Sequence, residues 1–125
     1  MGRMEEEREI IREIIDFQNY LKNQYGFDWD NAYGVLEKLE EEIKELREAI
    51  NKNDNKNIEE EFGDIIITIV NLSRFLDLDI IDSLKKSFEK FKDRFEKMKK
   101  LAEEKNLNLK ELKINQLDLL WEESK

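Results

Sequence analysis

Residues 59–71 read EEEFGDIIITIVN, and this stretch restricts the chain more than any other. Ile65, Ile66, Ile67, Ile69 and Val70 make a helix apolar almost all the way round, the pattern of a segment buried in a core. Glu61, Asp64, Thr68 and Asn71 recur through it at spacings of three, four and three, which sets four polar side chains in one row. A buried carboxylate without a partner costs several kcal/mol or takes up a proton. Glu61 and Asp64 therefore need a cation: a metal ion, or a basic side chain such as Arg47, Arg74 or a lysine.

Composition narrows that choice. The 125 residues fit a single domain, 1–125, long enough to close a core. With no cysteine and no histidine, any metal must be held by oxygen, which favours magnesium, manganese or calcium over zinc. No apolar run approaches the roughly 20 residues of a membrane span and no signal peptide is visible, so a cytoplasmic protein without a membrane partner is expected. The net charge of -9 argues against a nucleic-acid partner. Charged residues make up 42% of the chain, which raises disorder, but the 39% hydrophobic content is periodic and argues against it. The opening MGRM, with a second methionine close behind the first, reads as an added or truncated end.

The periodicity predicts five helical segments and no strands. The first, from about Glu5 to Tyr25, places Ile10, Ile14, Phe17 and Leu21 on one face and ends around Gly26. Asp28 or Asp30 can cap the second, which runs from about Asn31 to Asn51 with Leu36, Leu39, Ile43, Leu46 and Ile50 as its seam. The polar link NKNDNKN at 51–57 reads as a loop, and Asn57 with Glu60 three residues on resembles a capping box for the third helix, which lasts to about Leu76. Asp77 or Asp79 caps the fourth, whose seam is Ile81, Leu84, Phe88, Phe91, Phe95 and Met98. A softer region around 106–108 leads to a short C-terminal helix with Leu119, Leu120 and Trp121. The expected fold class is all-α: an antiparallel bundle of about four main helices plus that short helix.

The second helix contains KLEEEIKELREAI, residues 38–50. With 31 acidic residues in the chain an acidic face is ordinary, so position on the wheel decides. At about 100° per residue, Glu42 lies roughly 80° from the seam centre and Glu45 roughly 140°, while Glu41 points nearly opposite. Glu42 borders the core and Glu45 follows one turn along the same edge; ordinary solvation explains Glu41. Two facing helices that each offer acids three apart, Glu42 with Glu45 and Glu61 with Asp64, can gather four carboxylates around one or two hard cations. Such a site with open coordination positions suits phosphate chemistry. Lys38 stands one turn before Glu42, and Lys90 and Arg94 are four apart beside the phenylalanine seam, where they could clamp phosphate oxygens. Nine Lys or Arg residues crowd positions 85–105, and most must face solvent.

These segments together resemble the MazG family of nucleoside triphosphate pyrophosphohydrolases, most closely the C-terminal MazG domain of two-domain members. The resemblance is carried by GFDW at 26–29, GVLEKLEEEIKELREAI at 34–50, EEEFGDIIITIVNLSRFL at 59–76, EKFKDRFEKM at 89–98 and the tail LDLLWEESK, and covers the chain from about Phe17 onward. It implies an all-α pyrophosphatase fold, a homodimer or dimer of dimers, and magnesium, or manganese in its place, held by Glu42, Glu45, Glu61 and Asp64. It places Lys38, Lys90 and Arg94 on the triphosphate, Trp121 and Lys125 in a substrate-holding tail with Trp121 against the base, and Asn71 among the substrate-binding residues. Glu41 matches an acid that activates water, although the wheel turns it outward. The implied reaction converts a nucleoside triphosphate into the monophosphate and pyrophosphate.

Specialised dUTP or dCTP pyrophosphatases and phosphoribosyl-ATP pyrophosphohydrolases would share the acid motifs. A helical assembly protein with a solvated acidic face is a reading from another class, opposed by Asp64 and Asn71 standing inside the isoleucine row. A third helix greasy on all sides and a fourth with Phe88, Phe91, Phe95 and Met98 exceed what one short chain can cover, which independently favours a homodimer.

Overall fold

The computed structural model describes residues 3–125, so Met1 and Gly2 of the MGRM start lie outside the described residues. The expected all-α architecture is present: α1 (Arg3–Tyr25), α2 (Ala32–Asn51), α3 (Asn55–Phe75), α4 (Ile80–Glu104), a 3-10 turn over Leu109–Glu111 and α5 (Ile114–Glu123). The chain divides into two compact units, residues up to Ile80 and Ile81–Lys125.

In the first unit, α3 packs against both α2 and α1. Gly26 ends α1 in the left-handed region at φ 65°, and its N–H bonds Lys22 O at 2.9 Å. Asn31, rather than Asp28 or Asp30, caps α2: its Oδ1 accepts from the Tyr33 and Gly34 N–H groups at 2.9 and 3.2 Å. The link between α2 and α3 is shorter than the polar composition of 51–57 predicts. Asn53 takes φ 54°, and Asp54 accepts the Asn57 N–H at 3.3 Å, so α3 begins at Asn55 and the cap expected at Asn57 moves to Asp54. A turn this tight makes α2 and α3 an antiparallel hairpin.

Asp28 is free of capping because Arg74 holds it. The guanidinium reaches Asp28 through Nη2–Oδ2 at 2.9 Å and Nη1–Oδ1 at 3.3 Å, donates Nε to Asn19 Oδ1 at 3.0 Å, and bonds Asn71 Oδ1. One side chain on α3 thus ties down the end of α1 and the 26–31 connection with a bidentate pair in which both side chains are nearly buried.

The burial of α3 inverts the sequence expectation. Thr68, Val70, Asn71 and Ser73 are the buried residues, whereas Phe62, Ile66, Ile67 and Ile69 are 40–57% exposed. The helix turns Glu61, Thr68 and Asn71 of its polar row inward, leaves Asp64 at the edge, and puts most of its isoleucines outward. In the second unit, Met98, Ala102 and Leu120 form a small core with Leu101, Leu109, Leu112, Leu117 and Trp121 around it. Asn106, at φ 56°, lets the chain reverse after α4, with the Leu107 N–H on Ala102 O at 2.8 Å. Of the predicted α4 seam only Met98 is buried; Leu84, Phe88, Phe91 and Phe95 stay exposed.

Truncating one partner of the buried Arg74–Asp28 pair leaves the other charge unpaired, and Asp28→Ala should destabilise the fold by about 3 kcal/mol. Urea unfolding checks this. The double variant Asp28→Ala/Arg74→Met should lose clearly less than the sum of the two single changes, whereas strict additivity would show that the pair is not coupled.

Candidate active site

The α2–α3 hairpin sets two acid pairs in mirror positions. Glu45 and Glu61 stand eight residues either side of Asn53, and Glu42 and Asp64 eleven. Antiparallel helices bring equal distances from the turn to equal heights, so EExxE on one and ExxD on the other face each other. Glu42, Glu45 and Glu61 each place a carboxylate oxygen within 4.8 Å of the other two. Glu42 is 6% exposed, and Glu45 and Glu61 are half-buried. Thr68 helps to hold the cluster: its Oγ1 bonds Asp64 O at 2.9 Å and lies 3.4 Å from Glu42 Oε1. Asp64 is exposed at the edge, and its carboxylate stands outside the tight trio.

Three acids this close repel one another. Burial, a hydrogen bond with Glu45, and the charges of Glu45, Asp64 and Glu42 push the Glu61 pKa up from 4.5 to about 7. Glu61 Oε2 is shut off from solvent and has no hydrogen-bond partner. Among the described residues no basic side chain pairs with Glu61 or Asp64. Arg74, one basic partner the sequence offered, is committed to Asp28, Asn19 and Asn71. An all-oxygen donor set with an orphaned, buried carboxylate oxygen fits a hard divalent cation.

Lys38 borders this cluster, its Nζ 3.9 Å from both Glu41 Oε1 and Glu42 Oε1. Glu41 is exposed, as the wheel predicts, and the lysine keeps it at the rim of the acids. Asn71 is 1% exposed, with its Oδ1 fixed by Arg74.

The second unit gathers the other predicted residues. Lys90, Arg94 and Lys125 line one groove of about 840 Å³, together with Lys85, Lys86 and Lys97. Arg94 donates Nε and Nη2 to Trp121 O at 3.2 and 2.7 Å, and its guanidinium lies 4.0 Å from the Trp121 ring centre. Phe91 packs on the same indole, with ring centres 5.0 Å apart. Lys125 Nζ sits 2.7 Å from Glu122 Oε2, and that contact holds the Glu122 carboxyl below its ordinary range. Arg94 and Trp121 therefore form one assembly, a coupling not predicted from sequence.

Fold and site define an all-α protein built around an oxygen-ligand acid centre. The model of the MazG nucleotide pyrophosphohydrolase domain matches residues 30–99, and the chain belongs to that family. It is 52% identical over 103 residues to the nucleoside triphosphate pyrophosphohydrolase/pyrophosphatase MazG of Thermotoga maritima, covering 82% of this chain and 39% of the relative. It is 32% identical over 104 residues to the nucleoside triphosphate pyrophosphohydrolase of Escherichia coli K12, covering 80% and 39%. The aligned region is thus well under half the length of these relatives.

The raised Glu61 pKa makes metal-free stability depend on pH. The folded state holds this proton more tightly than the unfolded chain, so the stabilisation is complete below about 4.5 and is lost as pH rises through about 7. In EDTA, the melting temperature of the wild type should fall between pH 5 and pH 8 relative to Glu61→Gln, which lacks the titrating group. Parallel profiles for the two proteins would contradict the clustering of charge on Glu61.

Proposed function

We propose that this chain is a magnesium-dependent nucleoside triphosphate pyrophosphohydrolase, releasing a nucleoside monophosphate and pyrophosphate, with manganese as the alternative ion. The observation that carries the reading is the mirrored acid cluster with its orphaned Glu61 oxygen, in a chain of the MazG family. Glu42, Glu45, Glu61 and Asp64 would hold the ion, with Asp64 free to swing in from the edge. When bound, a divalent cation supplies positive charge against the phosphate oxygens and makes water a stronger nucleophile.

The remaining roles fall to the chain itself. Lys38, Lys90, Arg94 and Lys125 neutralise and orient the triphosphate, and Trp121 keeps the Arg94 guanidinium in place. Water attacks the α-phosphorus, the bond from that phosphorus to the bridging oxygen breaks, and pyrophosphate leaves with the electron pair. Glu41, at the rim beside Lys38, takes the proton of the attacking water. We take residues 1–125 as one pyrophosphohydrolase domain, a reading that the family match to residues 30–99 supports. Asn71 acts on the substrate side of the acids. The half-exposed isoleucines of α3 and phenylalanines of α4 support a homodimer or a dimer of dimers, and the compartment we assign to it is the cytoplasm.

Screening the eight common NTPs and dNTPs for pyrophosphate release tests the activity. Asp64→Asn should keep the fold and lower turnover at least a hundredfold, on the order expected when a charged ligand is removed from a catalytic ion. Near-wild-type turnover by that variant would sink the ligand assignment. Sedimentation equilibrium at micromolar concentration should give a dimer or larger; a fully active monomer would refute the assembly.

A further inference from the structure

Thr68 is the one hydroxyl in the apolar run 65–70, and its side chain has the shape of a valine. It is 6% exposed, as is Glu42. A buried hydroxyl costs more than a methyl group of the same size unless it is hydrogen-bonded. A valine would therefore serve the helix at least as well, and the threonine answers a need outside the backbone of α3. Its position shows which need: Thr68 follows Asp64 by four residues, in the row that faces α2, one turn beyond the level of Glu42 and Asp64.

Thr68 Oγ1 stands 2.9 Å from Asp64 O and 3.4 Å from Glu42 Oε1. A hydroxyl has a single hydrogen, so only one of these oxygens receives it at full strength. Asp64 O does not depend on it, because that carbonyl lies in the interior of α3 and accepts the backbone N–H four residues on. The contact with Asp64 O instead fixes the side-chain rotamer, with Oγ1 on the side of the acids. Rotation of the O–H alone then passes the hydrogen to Glu42, and no heavy atom has to move. Lys38 approaches the same oxygen from the partly exposed rim, its Nζ 3.9 Å away and beyond hydrogen-bond distance. The buried threonine is thus better placed than the lysine to fix the orientation of Glu42.

We propose that Thr68 is a positioning residue for the ion centre: its hydroxyl donates to Glu42 Oε1 when that carboxylate works as a ligand, and holds Glu42 against Glu45 and Glu61. The inference rests on the ion-binding reading of the acids. A hydrogen bond to an ionised carboxylate is stronger than one to a neutral carbonyl, so a fully charged Glu42 wins the hydrogen from Asp64 O. Holding one ligand still before the ion arrives removes part of the ordering cost of binding. A role confined to packing would be filled by the hydrocarbon part of Thr68 and would leave ion affinity indifferent to the hydroxyl.

Calorimetric titration of the nucleotide-free protein with Mn2+ tests this, and melting curves in EDTA establish that each variant is folded. Thr68→Val keeps the shape without the hydroxyl and should bind Mn2+ about tenfold more weakly, the low end of what loss of a ligand's hydrogen-bond partner costs. Thr68→Ser keeps the hydroxyl and should stay near the wild-type affinity. Thr68→Ala should weaken binding as Thr68→Val does, and it keeps the test open if Thr68→Val does not fold. Unchanged Mn2+ affinity in the folded variants that lack the hydroxyl overturns the positioning role and leaves the ion site standing. A loss in Thr68→Ser equal to that in Thr68→Val also overturns it, by making the effect one of packing. Absence of Mn2+ binding by the wild type overturns the ion site and the role of Thr68 together.

Discussion

The mutual repulsion of carboxylates on facing helices is the constraint around which the structure is arranged. Glu42, Glu45 and Glu61 meet within 4.8 Å, Lys38 reaches Glu42 at 3.9 Å, no basic side chain among the described residues pairs with Glu61, and Glu61 Oε2 sees no solvent. A chain selected for stability alone would replace such a cluster with apolar residues, which pack without desolvating charge. Its retention makes sense for a chain whose working state includes a cation. The neighbouring cations serve other ends: Arg74 binds the 26–31 connection to α3, and Lys38 sits at the rim.

The same constraint accounts for the inverted burial of α3. A helix can turn one face to its own hairpin partner, and here Glu61 and Thr68 take that face, meeting Glu45 and Glu42. The isoleucines are displaced to the outside, where they remain half-exposed on a single chain. In the proposed reading, the geometry of the acids and the assembly are thereby linked. This half-exposed apolar surface is what the proposed homodimer would cover, since a second copy presents the same surface in return.

Much of this was legible in the sequence because helical spacing is a strong signal. Periods of three and four located the helices, the acid pairs and the facing arrangement of EExxE and ExxD, and they turned Glu41 outward. Boundaries were harder, since several polar residues compete for each cap: Asn31 and Asp54 won over Asp28, Asp30 and Asn57 through contacts that spacing does not rank. Asp28 was misread as a cap because its partner, Arg74, lies 46 residues away. The Arg94–Trp121 assembly was hidden for the same reason. Each depends on contacts between elements distant in sequence, whereas periodicity reports only on one helix at a time.

The central claim is that the hairpin acids exist to hold a divalent ion. It is tested most directly by titrating the nucleotide-free protein with Mn2+ and following the free-ion signal by electron paramagnetic resonance. The wild type should remove Mn2+ from solution in proportion to protein, and Glu42→Gln, which withdraws the buried charge pinned by Thr68, should weaken that binding at least tenfold. Equal Mn2+ binding by the two proteins, or none by the wild type, would contradict the account.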